Sequence, residues 1–202
     1  IMTKLGAETA ASTDEIAAGL SKFSAVAETI ELSFEMASSA VTAIVDQTRE
    51  SPEVVGTALK TIFSRVEGLK QGETLEDGVD LNKYSEGLRK VGVNIMDQSG
   101  QLKDMDTILQ EIGNKWETLD KNSQVALAQT VAGVRQYNQF MALFDNWDHV
   151  EENLTMAATA HGTLNEQAEK DGKEITDYDL LDLEEIASVL DDLSVSQMNN
   201  GY

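Results

Sequence analysis

The stretch "NSQVALAQTVAGVRQYNQFMALFDNW" (122–147) decides how this chain folds. Asn122 and Ser123 offer a cap, and the residues behind them keep helical spacing for roughly seven turns at 3.6 residues each. On such a helix Ala126, Gly133, Tyr137, Phe140 and Phe144 line one side, and Leu127, Val131, Val134, Asn138 and Met141 the next. Ala128, Ala132 and Arg135 form the other flank. Small residues at 128, 132 and 133 let a second backbone come close. A glycine inside a helix costs about 1 kcal/mol relative to alanine, so Gly133 points to tight packing. Arg135, Gln136 and Asn138 crowd polar groups against this apolar surface and read as helix-to-helix or partner contacts. Arg135 either holds its head in water or pairs with an acid from another helix.

Outward from this stretch the pattern stays helical. "STDEIAAGL" places Glu15 three residues after Ser12, the spacing of a reciprocal capping box. Ile16, Leu20, Phe23 and Ala27 follow in threes and fours. A break at Thr29–Leu32 separates them from a helix through Phe34, Met36, Val41 and Ile44. Ser51 and Pro52 open another helix, with proline at the first position, where its missing N–H costs nothing. Its buried stripe is Val55, Leu59, Ile62, Phe63 and Val66. "DMDTILQEIGNKWETLD" adds Ile108, Leu109, Ile112, Trp116 and Leu119, and residues 148–170 read as continued helix. "KQGETLEDGVDLNKY" reads as a polar loop. Residues 91–104 depart from the helical period: Val93 and Ile95 alternate with polar neighbours before Ser99-Gly100, which predicts a small β-hairpin leaning on the helices. The expected fold is therefore mainly α, a domain of about five to six helices with one β-hairpin insertion.

Composition narrows the function. Thirty-six acids against fifteen bases give a net charge of −21, which opposes nucleic acid and anionic membrane surfaces, since both recruit lysine and arginine. No apolar run is long enough to span a bilayer. With no cysteine there is no thiolate site. The start "IMTKLG" lacks the apolar stretch of a signal peptide, and an initial Ile1 suggests a piece of a longer chain.

Catalytic constellations are not legible, and no metal or cofactor is expected. The two histidines, His149 and His161, sit among acids. His149 and Glu152 have the i, i+3 spacing of carboxylate-bridged metal sites in helix bundles, but no second pair accompanies them. A calcium-loop register around Gly172 puts Ile175 one place late. Phosphate-cradling glycine motifs are missing, and "NLT" at 153–155 falls on a helix. From Lys170 the character shifts: residues 170–202 hold nine acids and two bases, with Leu180, Leu183, Ile186, Leu190 and Leu193 spaced for an acidic helix. Residues 1–168 read as one helical domain and 169–202 as an acidic tail of separate character.

Three stretches resemble the N-terminal conserved region of tail tape measure proteins of long-tailed phages and prophages. "VGTALKTIFSRVEGLKQG" (55–72) is similar to the family's helix ending in a Ser-Arg turn, here Ser64-Arg65. Residues 88–147 resemble it nearly throughout, with a "G-[IV]-x-[IL]-x-D-x-x-G" hairpin, a "[DE]-I-x-x-K-W" helix ending at Trp116, and an "A-G-x-R-Q-x-x-x-F" helix running from Ala132 to Phe140. "SSAVTAIVDQTRES" (38–51) fits the preceding helix pair. The resemblance covers residues 10 to about 168, and the tail beyond departs from it. It implies a non-catalytic virion protein, assembled in the host cytoplasm and threaded in the tail tube, whose length sets tail length. Its implied partners are tail tube and distal tail proteins, assembly chaperones and further copies of itself. Arg65, Trp116, Gly133, Arg135, Gln136, Asn138 and Phe140 are the candidate structural and partner-contact residues. The competing expectations are a free helical interaction module and a fragment of a cell-wall-degrading tail protein.

Overall fold

A computed structural model describes the backbone of residues 1–170 and the side chains of residues 1–160. The acidic helix expected after Lys170, the calcium-loop register and His161 lie outside the described side chains.

Among the described residues the chain forms nine helices: α1 (Met2–Glu8), α2 (Thr13–Leu20), α3 (Ser24–Thr29), α4 (Phe34–Thr48), α5 (Pro52–Lys70), α6 (Leu81–Lys90), α7 (Met105–Trp116), α8 (Lys121–Asp145) and α9 (Trp147–Lys170). The mainly helical expectation holds, and the count of five to six was too low. Two helices escaped the sequence pattern, and the stretch read as one helix from Ser12 through Ala27 divides into α2 and α3. α1 is seven residues long, with only Leu5 fully buried. α6 lies in a stretch read partly as loop, although Asp80 caps it and Tyr84 and Leu88 face the core.

α4 sits at the centre. Its residues Met36–Val45 are buried without interruption, and α9, α2, α8, α5 and α1 all pack against it. A helix buried on every side needs small residues, and "MASSAVTAIV" supplies them. Two of its three buried hydroxyls turn back on the helix: Ser38 donates to the Phe34 carbonyl at 2.7 Å and Thr42 to the Ser38 carbonyl at 2.7 Å, while the Ser39 hydroxyl is buried with no hydrogen-bond partner. Asn153, on α9, is buried and donates to the Ser39 carbonyl at 3.4 Å, tying the outer helix to the central one. The asparagine of the "NLT" sequon is thus a core residue.

Helix ends follow the local chemistry. Ser12 and Glu15 form both halves of the capping box, at 3.2 and 2.7 Å. Ser51 caps α5 with Pro52 at its start. α8 begins slightly earlier than its sequence suggested: Asp120 accepts from the backbone N–H groups of Asn122 and Ser123 at 3.0 and 3.1 Å, so Asn122 and Ser123 are first-turn residues and not the cap.

The β-hairpin at 91–104 does not form. Among the described residues there are no strands, and a single antiparallel bridge joins Met96 to Leu102. Val93 and Ile95 are both fully buried, so both anchor the segment to the helical core and leave little free arm for a ladder. The Asp97 carboxylate also accepts from the N–H groups of Ser99 and Gln101 at 2.8 and 2.9 Å, closing a compact side-chain turn.

Candidate partner-contact site at the break in α8

α8 is not one straight rod. At Gly133 the backbone leaves helical geometry, with φ 74° and ψ 165°, a region essentially restricted to glycine. Two half-helices therefore meet at this residue. The side assignments made for an unbroken helix fail on both sides of it: Ala126, before the break, is exposed, and beyond it Tyr137 is half-buried and Val134 is 72% exposed.

Breaking a helix orphans the carbonyls of its last turn. Arg65, from the middle of α5, meets that need. Its Nε donates to the Val131 carbonyl at 3.1 Å and a terminal nitrogen donates to the Thr130 carbonyl at 3.3 Å. The same guanidinium pairs with Asp77 in the α5–α6 loop at 2.8 Å, and its side chain is only 15% exposed. One planar cation thus joins a helix, a helix break and a loop. Arg65 does not sit at a helix end, as the Ser-Arg turn had implied, because α5 continues to Lys70.

The surroundings are sensitive to charge. Burial raises the Asp77 carboxyl, but hydrogen bonds from Arg65 and the Val79 N–H, with the Arg65 charge, outweigh it and hold the group below its usual range. Tyr84 of α6 is fully buried with no hydrogen-bond partner for its hydroxyl. Burial pushes that phenol well up, and the Arg65 charge pulls slightly the other way. Asp77 and Tyr84 were not singled out in the sequence, because neither a loop acid nor a tyrosine reveals a contact from another helix.

A second cluster fixes the far half of α8. Trp116, Phe140, Phe144 and Trp147 form a continuous aromatic set, with Trp116 5.3 Å from Phe144 and Phe140 4.6 Å from Phe144 between ring centroids. The Trp116 indole N–H donates to Asp145 at 2.7 Å, satisfying its one polar atom. Gly113 lies directly beneath the Trp147 ring, where an added Cβ would overlap the indole.

The candidate residues therefore fall into three groups. Arg65 and Gly133 come together at the break, where a Cβ on Gly133 would lie 3.1 Å from an Arg65 nitrogen. Trp116 and Phe140 are buried core residues. Arg135 and Asn138 are exposed just past the break, beside the bare Val134, and Gln136 is partly buried. The neighbouring Gln139 reaches Glu50 at 3.2 Å. His149 pairs with Glu152 on the surface at 3.5 Å, and no three metal-ligating side chains converge among the described residues.

The family to which these features belong is shown by comparison. A family model described as phage-related minor tail protein matches residues 1–133, about two thirds of the chain. The chain belongs to the phage-related minor tail protein family. That membership makes it a structural component of a virion tail. The matched span begins ahead of the resemblance read from the sequence and closes at Gly133, so it takes in α1 to the first half of α8. No solved structure matches this tail protein.

Proposed function

We propose that this minor tail protein is a segment of a tail tape measure protein, acting without catalysis in tail assembly and in setting tail length. The observation that carries the proposal is how the family-like motifs meet in space. Arg65, from the stretch 55–72, caps the broken helix of the stretch 88–147 at Thr130 and Val131. Within that longer stretch, Trp116 of the "[DE]-I-x-x-K-W" motif packs on Phe140 of the "A-G-x-R-Q-x-x-x-F" motif at 6.1 Å between ring centroids. Residues that look like separate motifs in sequence are thus the fasteners of one helical body, which is what a structural role requires of them.

The exposed group Val134, Arg135 and Asn138 offers a partner an apolar contact flanked by a cation and an amide. The partners proposed for it are tail tube and distal tail proteins, assembly chaperones, and further copies of the chain. Co-expression with the tail proteins of the same phage tests this, with light scattering to count copies. Co-purification with at least one of them, weakened by Val134→Asp with Arg135→Glu, is expected. A stable monomer that ignores every tail protein of its phage would contradict the proposal.

A further inference from the structure

The chain carries an excess of acid nearly everywhere, yet one corner is the reverse. Arg89 and Lys90 end α6, and both are exposed. The chain then turns through Gly92, whose N–H donates to the Arg89 carbonyl at 3.0 Å. Lys115, exposed in the last turn of α7, extends over that turn: its Nζ is 3.7 Å from where a Cβ on Gly92 would sit. Three cations of two helices therefore flank one turn. The ion pairs among the described residues involve none of them, although Glu86 and Glu117 lie close by in sequence. Cations are favoured at helix C-termini, which explains why they sit here but not why no carboxylate has joined them.

The opposite imbalance lies at the other end of the sequence. Residues 171–202 hold nine acids and a single base, Lys173. We propose that the Arg89–Lys90–Lys115 corner is a docking surface for this acidic segment of the chain itself. Charge complementarity favours that occupant, and covalent attachment adds to it: a tethered segment meets the corner at an effective concentration in the millimolar range. A free polyanion such as nucleic acid must instead approach against the field of the whole chain, net −21. The inference does not depend on the tape-measure reading.

The chain has no cysteine, so Ser188→Cys gives one site for a spin label in the full-length protein. Paramagnetic broadening of the Arg89, Lys90, Gly92 and Lys115 amides is expected at low salt. It fades as salt rises through the range where the Debye length falls from about 30 to about 8 Å. Combining R89E, K90E and K115E should reduce the docked population roughly tenfold, as three exposed pairs of a few-fold each imply. A circular-dichroism melt confirms that this variant is folded, and single reversals serve if it is not. Mixing labelled chains with isotope-labelled, spin-free ones separates docking within a chain, which the proposal expects, from docking onto a second copy, which overturns it. Broadening that avoids this corner, survives charge reversal, or is displaced by a short oligonucleotide at equal concentration overturns it.

Discussion

Replacing Gly133 by alanine tests the break in α8 through the sign of the effect. In a continuous helix the change would remove a glycine penalty and stabilise the protein by about 1 kcal/mol. In the observed geometry, alanine must hold φ 74° and ψ 165°, a conformation that costs about 1–3 kcal/mol for a residue with a Cβ. The new methyl would also stand 3.1 Å from one Arg65 nitrogen and 3.3 Å from its central carbon. Pushing the guanidinium aside loosens its bonds to Thr130 and Val131, at about 0.5–1.5 kcal/mol each in a typical site. The combined loss is roughly 2–6 kcal/mol, and at about 2–4 °C per kcal/mol for a domain of this size the melting temperature should fall by roughly 4–24 °C. Thermal and urea unfolding followed by circular dichroism measure this. An unchanged or higher melting temperature would refute the break and restore the straight helix.

Further outcomes follow from the same geometry. Arg65→Met keeps the aliphatic stem but leaves two carbonyls of α8 uncapped, and should cost about 2 kcal/mol; Asp77→Asn, on the half-exposed side of the pair, should cost under about 1 kcal/mol. Because the Asp77 carboxyl is held below its usual range, its share of stability is present above the unfolded value and is lost as pH falls through the lower folded value. Asp106 behaves oppositely: burial raises it, ahead of the lowering hydrogen bond to Ser33 and the nearby charges of Asp104 and Glu35. Asp106→Asn should therefore be the more stable protein at neutral pH, with the gap in urea midpoint closing as pH drops through the carboxylate range. Gly113→Ala drives a methyl into Trp147 and should cost about 1–3 kcal/mol by overpacking, with a red shift of tryptophan emission as the ring is displaced.

What the sequence disclosed was local. The Ser12–Glu15 box, the Ser51-Pro52 start and the stripe of α5 are chemistry within one turn, and each appears where its spacing placed it. α6 was obscured because Leu81, Tyr84 and Leu88 make only a thin stripe beside a run rich in glycine and acid. The break at Gly133 was hidden for a different reason. Its neighbours are good helix formers, and the group that makes a break tolerable, Arg65, lies 66 residues before Val131. Gly133 was flagged as a packing glycine, and its neighbour is indeed close, but what it supplies is a backbone angle. The hairpin misled because alternation of Val93 and Ile95 marks burial of both, not one face of a sheet.

Tail length tests the central claim most directly. Inserting about 40 helix-forming residues into the gene that encodes this chain, beyond the body described, should lengthen assembled tails by roughly 60 Å at 1.5 Å per residue, read by electron microscopy. Tails of unchanged length that still contain the lengthened protein would contradict the account.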